Sequence, residues 1–445
     1  MNVCRFARIA VLAGPLGSLI CVGADQPRSY APKPEEGQLP TAMHSRMKEL
    51  PVIHVGQREG DLVGVHNRAL QAAVDYVAGL GGGTVEIGEG TWLMRDSLHL
   101  RSHVTVRGRG EKTVLLKAPG AVSRMMLDGD FGEEQITVED ASQFHVGDGV
   151  ALWDSSASGF FTTVGRIIGK SGNTFAISRP LNADLMADNK AQAASVFPVI
   201  SGYDIEGARV EDLTVDGARD KNVNLNGCRG GGIFLYRGFG TVIQNCHVRN
   251  YNGDGISFQQ SNDVQVIACV SEGNGGLGLH PGSGSQRAVI RNCTARKNDS
   301  DGLFLCWRVR HGLFEANELV DNGGHGISIG HKDSDNLLRK NIVRGNARYG
   351  INFRDETEPM AGHRNRLEEN RIEDNGAKVG GAGIFVGGET TDVVILGNVI
   401  RDTREGGART QRVAIRLGEK AGKVAIDKNQ IVAEKEIDDQ RRAAR

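Results

Sequence analysis

A chain of 445 residues is longer than one hydrophobic core usually spans, so it needs either two or three globular domains or a repeat architecture. Glycine is abundant at 61 residues, proline scarce at 11 and aromatic residues only 5%, a composition too poor in bulk for a layered core but suited to small residues at regular turns. With 53 basic and 54 acidic residues the formal net charge is −1, which excludes the global field that draws nucleic acid or a membrane surface.

The N-terminus carries Arg5 and Arg8, an apolar run from Ile9 to Val22, then Gly23 and Ala24 before Asp25. This pattern predicts a secretory signal over residues 1–24 and a secreted or periplasmic protein. At about 14 residues the run is short for a membrane span, which needs roughly 20. Cys21 would suit a lipid anchor, but Ile20 before it is larger than that processing prefers. Residues 25–59 read as an N-terminal extension.

From residue 60 to 127 the pattern predicts a cap and the first turns of a coil. Leu70, Ala73, Val74 and Val77 share one helical face, Gly81 to Gly83 stop the helix, and Thr84 to Ile87 read as a strand. A helix there would cover strand edges that otherwise pair with other chains. Residues 128–201 break the pattern with β-like runs such as "EQITVED" and "DGVALWD", and are expected to form a small inserted β module.

A repeat governs residues 202–432: an apolar residue, two free positions, Asn or Cys, one free position, then usually another apolar residue. It runs through Ile243-Cys246-Val248, Val266-Cys269-Ser271, Ile290-Cys293-Ala295, Phe314-Asn317-Leu319, Leu338-Asn341-Val343, Leu367-Asn370-Ile372, Ile395-Asn398-Ile400 and Ile426-Asn429-Ile431, stepping by 23, 24, 24, 24, 29, 28 and 31 residues. In phase with it a glycine opens a short alternating strand at Gly232, Gly255, Gly278, Gly302, Gly326, Gly350 and Gly383. Strands this short bury their apolar faces only by stacking on the same strand of the next turn, the logic of a solenoid. Stacked residues lie about 4.8 Å apart, so the asparagines should form an amide ladder, with Cys246, Cys269 and Cys293 as buried small hydrophobes in the same column. Residues 433–445 read as a polar tail. Five cysteines remain beyond the leader, an odd number that argues against a disulfide framework; CxxC and HExxH are absent, so no metal or other cofactor is expected.

The stretch from Gly60 to Pro119, with the repeats from Gly202 to Ile431, resembles the pectate-lyase-like superfamily of right-handed parallel β-helix proteins. That resemblance implies an all-β solenoid with an N-terminal capping helix, and a polysaccharide as partner with no nucleic acid and no membrane span. A monomer is expected to suffice. Superfamily activities include glycoside hydrolases, polysaccharide lyases and epimerases, and tailspikes. "GHGISIG" at Gly324 to Gly330 resembles the histidine motif of polygalacturonase-type hydrolases, which place two aspartates one coil earlier. Here Asp301 occupies one of those places, Gly302 stands in the other, and the family's further acid would fall on Leu277. The match is partial, and the family mechanism does not transfer whole.

With the glycines as register, Asp254 and Asp301 share a row two coils apart, about 9.5 Å at the backbone. That separation is at the upper end of what suits an acid and a base of an inverting glycosidase, and His325, one coil above Asp301, would tune its pKa or bind the sugar. Asp-Gly and His-Gly are also ordinary turn dipeptides, so catalytic and turn readings both stand. Gln259, His280, Trp307, Arg308, His331, Lys332, Arg354 and Glu356 cluster beside this row as candidate substrate-binding residues, Trp307 as a sugar-stacking platform. For a lyase or epimerase, His280, Arg308, His331, Lys332 and Arg354 would supply the base and the cation. Asp333, Asp335, Asp355 and Glu356 offer oxygens for Ca²⁺ without a calcium-loop spacing. A non-catalytic glycan-binding or adhesion solenoid is the alternative from another class.

Overall fold

The computed structural model describes residues 49–156, 159–378 and 381–441; the signal segment and residues 25–48 of the extension lie outside them. The described chain is a right-handed parallel β-helix. Eleven strands stack into one wall, beginning with Leu98–His99, Ile200–Tyr203, Ile233–Tyr236, Ile256–Gln259 and Leu279–Gly282 and ending with Val413–Leu417 and Lys435–Asp439. This wall is called the groove sheet below. The remaining coil strands, most of three residues, join in a 22-stranded sheet that forms the rest of the barrel.

Strands of three residues succeed because register repeats without slippage. Val266 stacks on Ile243 and beneath Ile290, Phe314 and Leu338, all with their side chains in the common core. Between the two strands of each repeat the chain turns at one residue in the left-handed region: Asn245, Ala268, Asn292, Ala316, Lys340 and Glu369, with φ between 51 and 56°. That conformation is costly for residues with a Cβ. The next residue offsets the cost. Asn317 Nδ2 donates to the Asn341 side-chain oxygen at 3.0 Å and to the Ile290 carbonyl at 2.9 Å, and Asn341, Asn370 and Asn398 repeat the arrangement up to Asn429. Cys246, Cys269 and Cys293 continue the column as buried free thiols, as expected. A second ladder of Asn274, Asn298, Asn322, Asn346, Asn375 and Gln411 runs along another corner.

The helix forms at Asn67–Gly79 and buries Leu70, Ala73, Val74 and Val77 against the first coil. The coil starts earlier than the boundary at residue 60, because Val52–Gly56 pairs with Gly83–Ile87. It also ends later: Lys435–Asp439, within the segment read as a polar tail, pairs with Val413–Leu417. Polar residues concealed the C-terminal edge, KEIDD, since an end strand has one wet side; the N-terminal edge, VIHVG, lies ahead of the first recognisable turn of the pattern.

The inserted module is an antiparallel six-stranded sheet from Val122–Arg124 to Gln192–Ala194, and a bridge between Met125 and Val138 brings its outer strands together. It has its own core, including Phe144, Phe175, Ile167 and Leu152. Among the described residues no helix is long and apolar enough to cross a membrane.

Candidate functional site

Backbone bonds between coils confirm the predicted row beside the groove sheet. Gly255 N donates to the Leu277 carbonyl, Gly278 N to Asp301, Gly302 N to His325 and Gly326 N to Tyr349, so Asp254, Leu277, Asp301, His325 and Tyr349 stand in line. The outward positions of the strands make a second row, with Ser257 paired to His280, and Phe304 to Ser328 and Asn352. Alternation along each strand does this: Ile256 and Phe258 point into the core, so Ser257 must point out.

Asp254 is not a free carboxylate. Its Oδ1 accepts the Leu277 N–H at 2.9 Å, and its Oδ2 lies 2.7 Å from His280 Nδ1. Both side chains are buried, at 6% and 4% exposure. The carboxylate fixes the proton on Nδ1, and the other ring nitrogen, Nε2, is buried with no partner among the described residues. An imidazole with a carboxylate behind it and a bare second nitrogen is a proton acceptor in waiting. The turn Asn226–Arg229 closes over this pair: the Gly227 carbonyl accepts from Ser257 Oγ at 2.7 Å, and Arg229 reaches the Phe160 carbonyl of the module at 2.7 Å. Gln259 is buried beneath the same turn, donating to Ser257 Oγ, with its own side-chain oxygen unpaired.

Asp301, two coils on, has the opposite character. Burial pushes its carboxyl up to about 6 from 3.8, against the pull of the His325 backbone N–H, which donates to Oδ1 at 2.6 Å, and of Arg354 and Arg348. The expectation that the His325 ring tunes this acid is therefore corrected: its main-chain amide makes the contact. The ring accepts the Tyr349 backbone N–H at Nδ1 (3.2 Å) and stacks on the Tyr349 ring. Burial holds it down to about 4, so it is neutral with its proton on Nε2, a donor rather than a base.

The remaining candidates divide in two. Arg354 lies over the Phe304 ring and donates to Ser328 Oγ at 2.9 Å, to the Leu305 carbonyl and to buried Asp333 at 3.1 Å. His331 joins Glu356 at 2.9 Å through Nε2 and Cys306 Sγ at 3.0 Å through Nδ1. Glu356 is held below its usual range by His331 and Arg354 despite burial. These three residues therefore stiffen the wall rather than face substrate as free cation, base and acid. Asp333 and Asp335 are engaged by Arg354 and Arg364, and among the described residues no group of three or more His, Cys, Asp or Glu is placed to hold a metal ion. Trp307, Arg308 and Lys332 stand at the rim: Trp307 is 37% exposed and packs near Phe160 and His331, Arg308 lies over the Trp307 ring, and Lys332 occupies a left-handed corner.

Sequence reasoning missed the Asn226–Arg229 turn and Arg348, and it set His280 among the binding residues rather than with Asp254. The regular period carried no signal for the first, because the turn belongs to a loop that no other coil repeats.

A family model described as a right handed beta helix region matches residues 213–360. A search of curated proteins finds no match to the chain. Among solved structures the chain is similar to the A-module of the mannuronan C-5 epimerase AlgE4 of Azotobacter vinelandii, with 15% identity over 86% of this chain and 98% of that one and a TM-score of 0.52. A glycoside hydrolase gives 11% identity, 85% and 96% coverage and a TM-score of 0.51. The Dettilon tailspike protein gives 10% identity, 80% and 55% coverage and a TM-score of 0.52. The superfamily resemblance read from the repeats holds at the level of fold.

Proposed function

We propose that the protein hydrolyses glycosidic bonds of an extended polysaccharide lying along the groove sheet, with Asp301 as general acid and His280, backed by Asp254, as general base. One observation carries this reading: the same wall holds a carboxyl that burial keeps protonated up to about pH 6 and an imidazole oriented by a buried carboxylate, with its Nε2 without a partner among the described residues. Asp301 gives its proton to the departing glycosidic oxygen as the bond to the anomeric carbon breaks. His280 Nε2 takes a proton from the water whose oxygen bonds to that carbon. His280 stands on the coil next to that of Asp301, one strand spacing of about 4.8 Å away and beside Phe304, three residues further along, so acid and base approach the bond from neighbouring coils.

His325 Nε2–H and the ring of Trp307 are placed to bind sugar, and the Gly227 carbonyl is displaced from Ser257 when substrate enters. The matched folds support the reading, since they include a glycoside hydrolase and a mannuronan epimerase. Export through the N-terminal signal would bring the protein to such polymers, and one chain supplies every group of the site.

Arg348, exposed and without a carboxylate partner at ion-pair distance among the described residues, favours a second reading. Were the sugar a uronate, Arg348 would hold the carboxylate of one residue along the groove while His280, three strand spacings or about 14 Å away, removed the C5 proton of another. A panel of neutral and acidic polysaccharides separates the two. Hydrolysis yields reducing ends without ultraviolet absorbance, elimination yields an unsaturated absorbing product, and retention without release leaves only a binding solenoid.

Gly227→Ala is expected to reduce cleavage about 100-fold, the scale of one acid–base group. Its Cβ would stand 1.7 Å from Asp254 Oδ2, so the carboxylate must leave His280. An unchanged rate would show that the pairing is idle.

The proton on Asp301 also links function to stability. Its folded pKa of about 6 exceeds the unfolded 3.8, so the folded state binds more protons between those values and stability falls as pH rises from about 4 to 6. His325, folded near 4 against 6.5, acts oppositely over about the same window. Asp301→Asn isolates the first effect: it should raise Tm at pH 8 and leave it unchanged at pH 3.5, as measured by calorimetry. A Tm that is lower at pH 8 contradicts the raised pKa.

A further inference from the structure

The groove sheet does not end at the acid–base pair. Its second row runs back from His280 through Ser257, Phe234 and Ser201 to His99, where the inserted module overhangs the coil. There a cavity of about 210 Å³ opens between the two units, lined by Asp96, His99, Arg101 and Tyr203 of the coil and Arg166 and Arg179 of the module. At ~30 Å³ per liquid water it holds the equivalent of about seven waters, space for one sugar ring and not for a chain.

Its charge is one-sided. Asp96 is the only acid in the lining, and it is already engaged by Arg166 Nε at 2.6 Å and His99 Nε2 at 2.9 Å. Arg101 is paired with Asp75 at 2.8 Å. Arg179 has no carboxylate within ion-pair distance among the described residues; its guanidinium lies 3.7 Å from the centre of the Tyr203 ring. Arg166 uses its Nε on Asp96 and lines the same cavity. Each guanidinium presents a planar fork that matches a carboxylate.

We propose that this cavity binds one carboxylate-bearing sugar residue, held by Arg179 and Arg166 with its ring beside Tyr203, as a distal subsite of the groove. The path toward the acid–base pair is laid with aromatic faces: Tyr236 follows Tyr203 at 6.1 Å, with Arg229 and Arg237 over its ring. From Ser201 to His280 is three strand spacings, about 14 Å, the reach of a short oligosaccharide. The inference deepens the proposed function by naming an acidic polymer as its substrate, and it rests on that reading only for the direction of the chain.

Sodium glucuronate and glucose, which differ only in the carboxylate, test it by equilibrium titration of the full chain. Glucuronate is expected to bind at least tenfold more tightly than glucose, to weaken with added salt, and to lose tenfold or more of its affinity in Arg179→Ala. Arg179 is exposed, so that variant keeps its fold; an unchanged melting curve confirms it. Equal affinity for the two sugars, or an Arg179→Ala variant that binds glucuronate as the wild type does, overturns the proposal. Asp301→Asn should bind glucuronate normally. If the wild type binds glucuronate but cleaves no polymer, the cleavage reading falls and the subsite stands.

Discussion

Asp301→Asn is expected to reduce the cleavage rate by roughly 10²- to 10⁴-fold, the usual contribution of a general acid. The amide keeps the shape of the carboxyl, and its oxygen still accepts the His325 N–H that now binds Oδ1. What it lacks is a transferable proton. Binding of the polymer should therefore persist while turnover fails, so kcat falls and KM changes little. The pH profile gives an independent check. Wild-type activity should decline above about pH 6 as the acid loses its proton, and the residual rate of the variant should lose that limb. A variant that retains more than about a third of the wild-type rate, far outside the range for a lost acid, would remove Asp301 from the mechanism.

Asn341→Ala is expected to destabilise the fold by about 4 kcal/mol, because several buried groups lose partners for which no water can substitute. Its side-chain oxygen accepts both the backbone N–H and Nδ2 of Asn317, and its Nδ2 donates to the Phe314 carbonyl and the Asn370 oxygen. All three asparagines are completely buried. Truncation leaves the Asn317 amide and the Phe314 carbonyl unsatisfied in the middle of a ladder, and the left-handed corner at Lys340 loses the contact that offsets its cost. Denaturant titration measures the change. A loss below about 1 kcal/mol, the worth of a single ordinary hydrogen bond, would mean the ladder decorates the coil without holding it.

The coil was legible in the sequence because each turn must satisfy the same constraints as its neighbour. An apolar residue at Ile290 and again at Phe314 and Leu338 reports a shared core, and Asn at 317, 341 and 370 reports a corner that needs the same amide each time. The second ladder, from Asn274 to Gln411, follows the same period and was equally readable. The row of Asp254, Asp301 and His325 was legible for the same reason: register is arithmetic once the period is known.

What the period does not carry is the contact between rows. Asp254 meets His280 by leaning from one row of its coil to the other row of the next, and no spacing rule announces that. Arg354, Glu356 and His331 looked like free groups in a binding cluster, yet they spend their charges on Asp333 and on one another. Sequence shows where a charge sits along the chain and not which neighbour neutralises it. The module is opaque for a related reason. Its strands pair antiparallel within one short stretch, so Arg166 and Arg179 reach Asp96 and Tyr203 only because the loop folds back over the first coils.

Burial holds the Asp301 carboxyl in its protonated form up to about pH 6. Carbon-13 titration of labelled aspartate side chains measures it directly, without any substrate. Two aspartates should titrate above the ordinary range because of burial, Asp301 near 6 and Asp333 near 7, and the first of these signals should vanish in Asp301→Asn. If the signal lost in Asp301→Asn titrates near the ordinary value, about 4, Asp301 is no general acid.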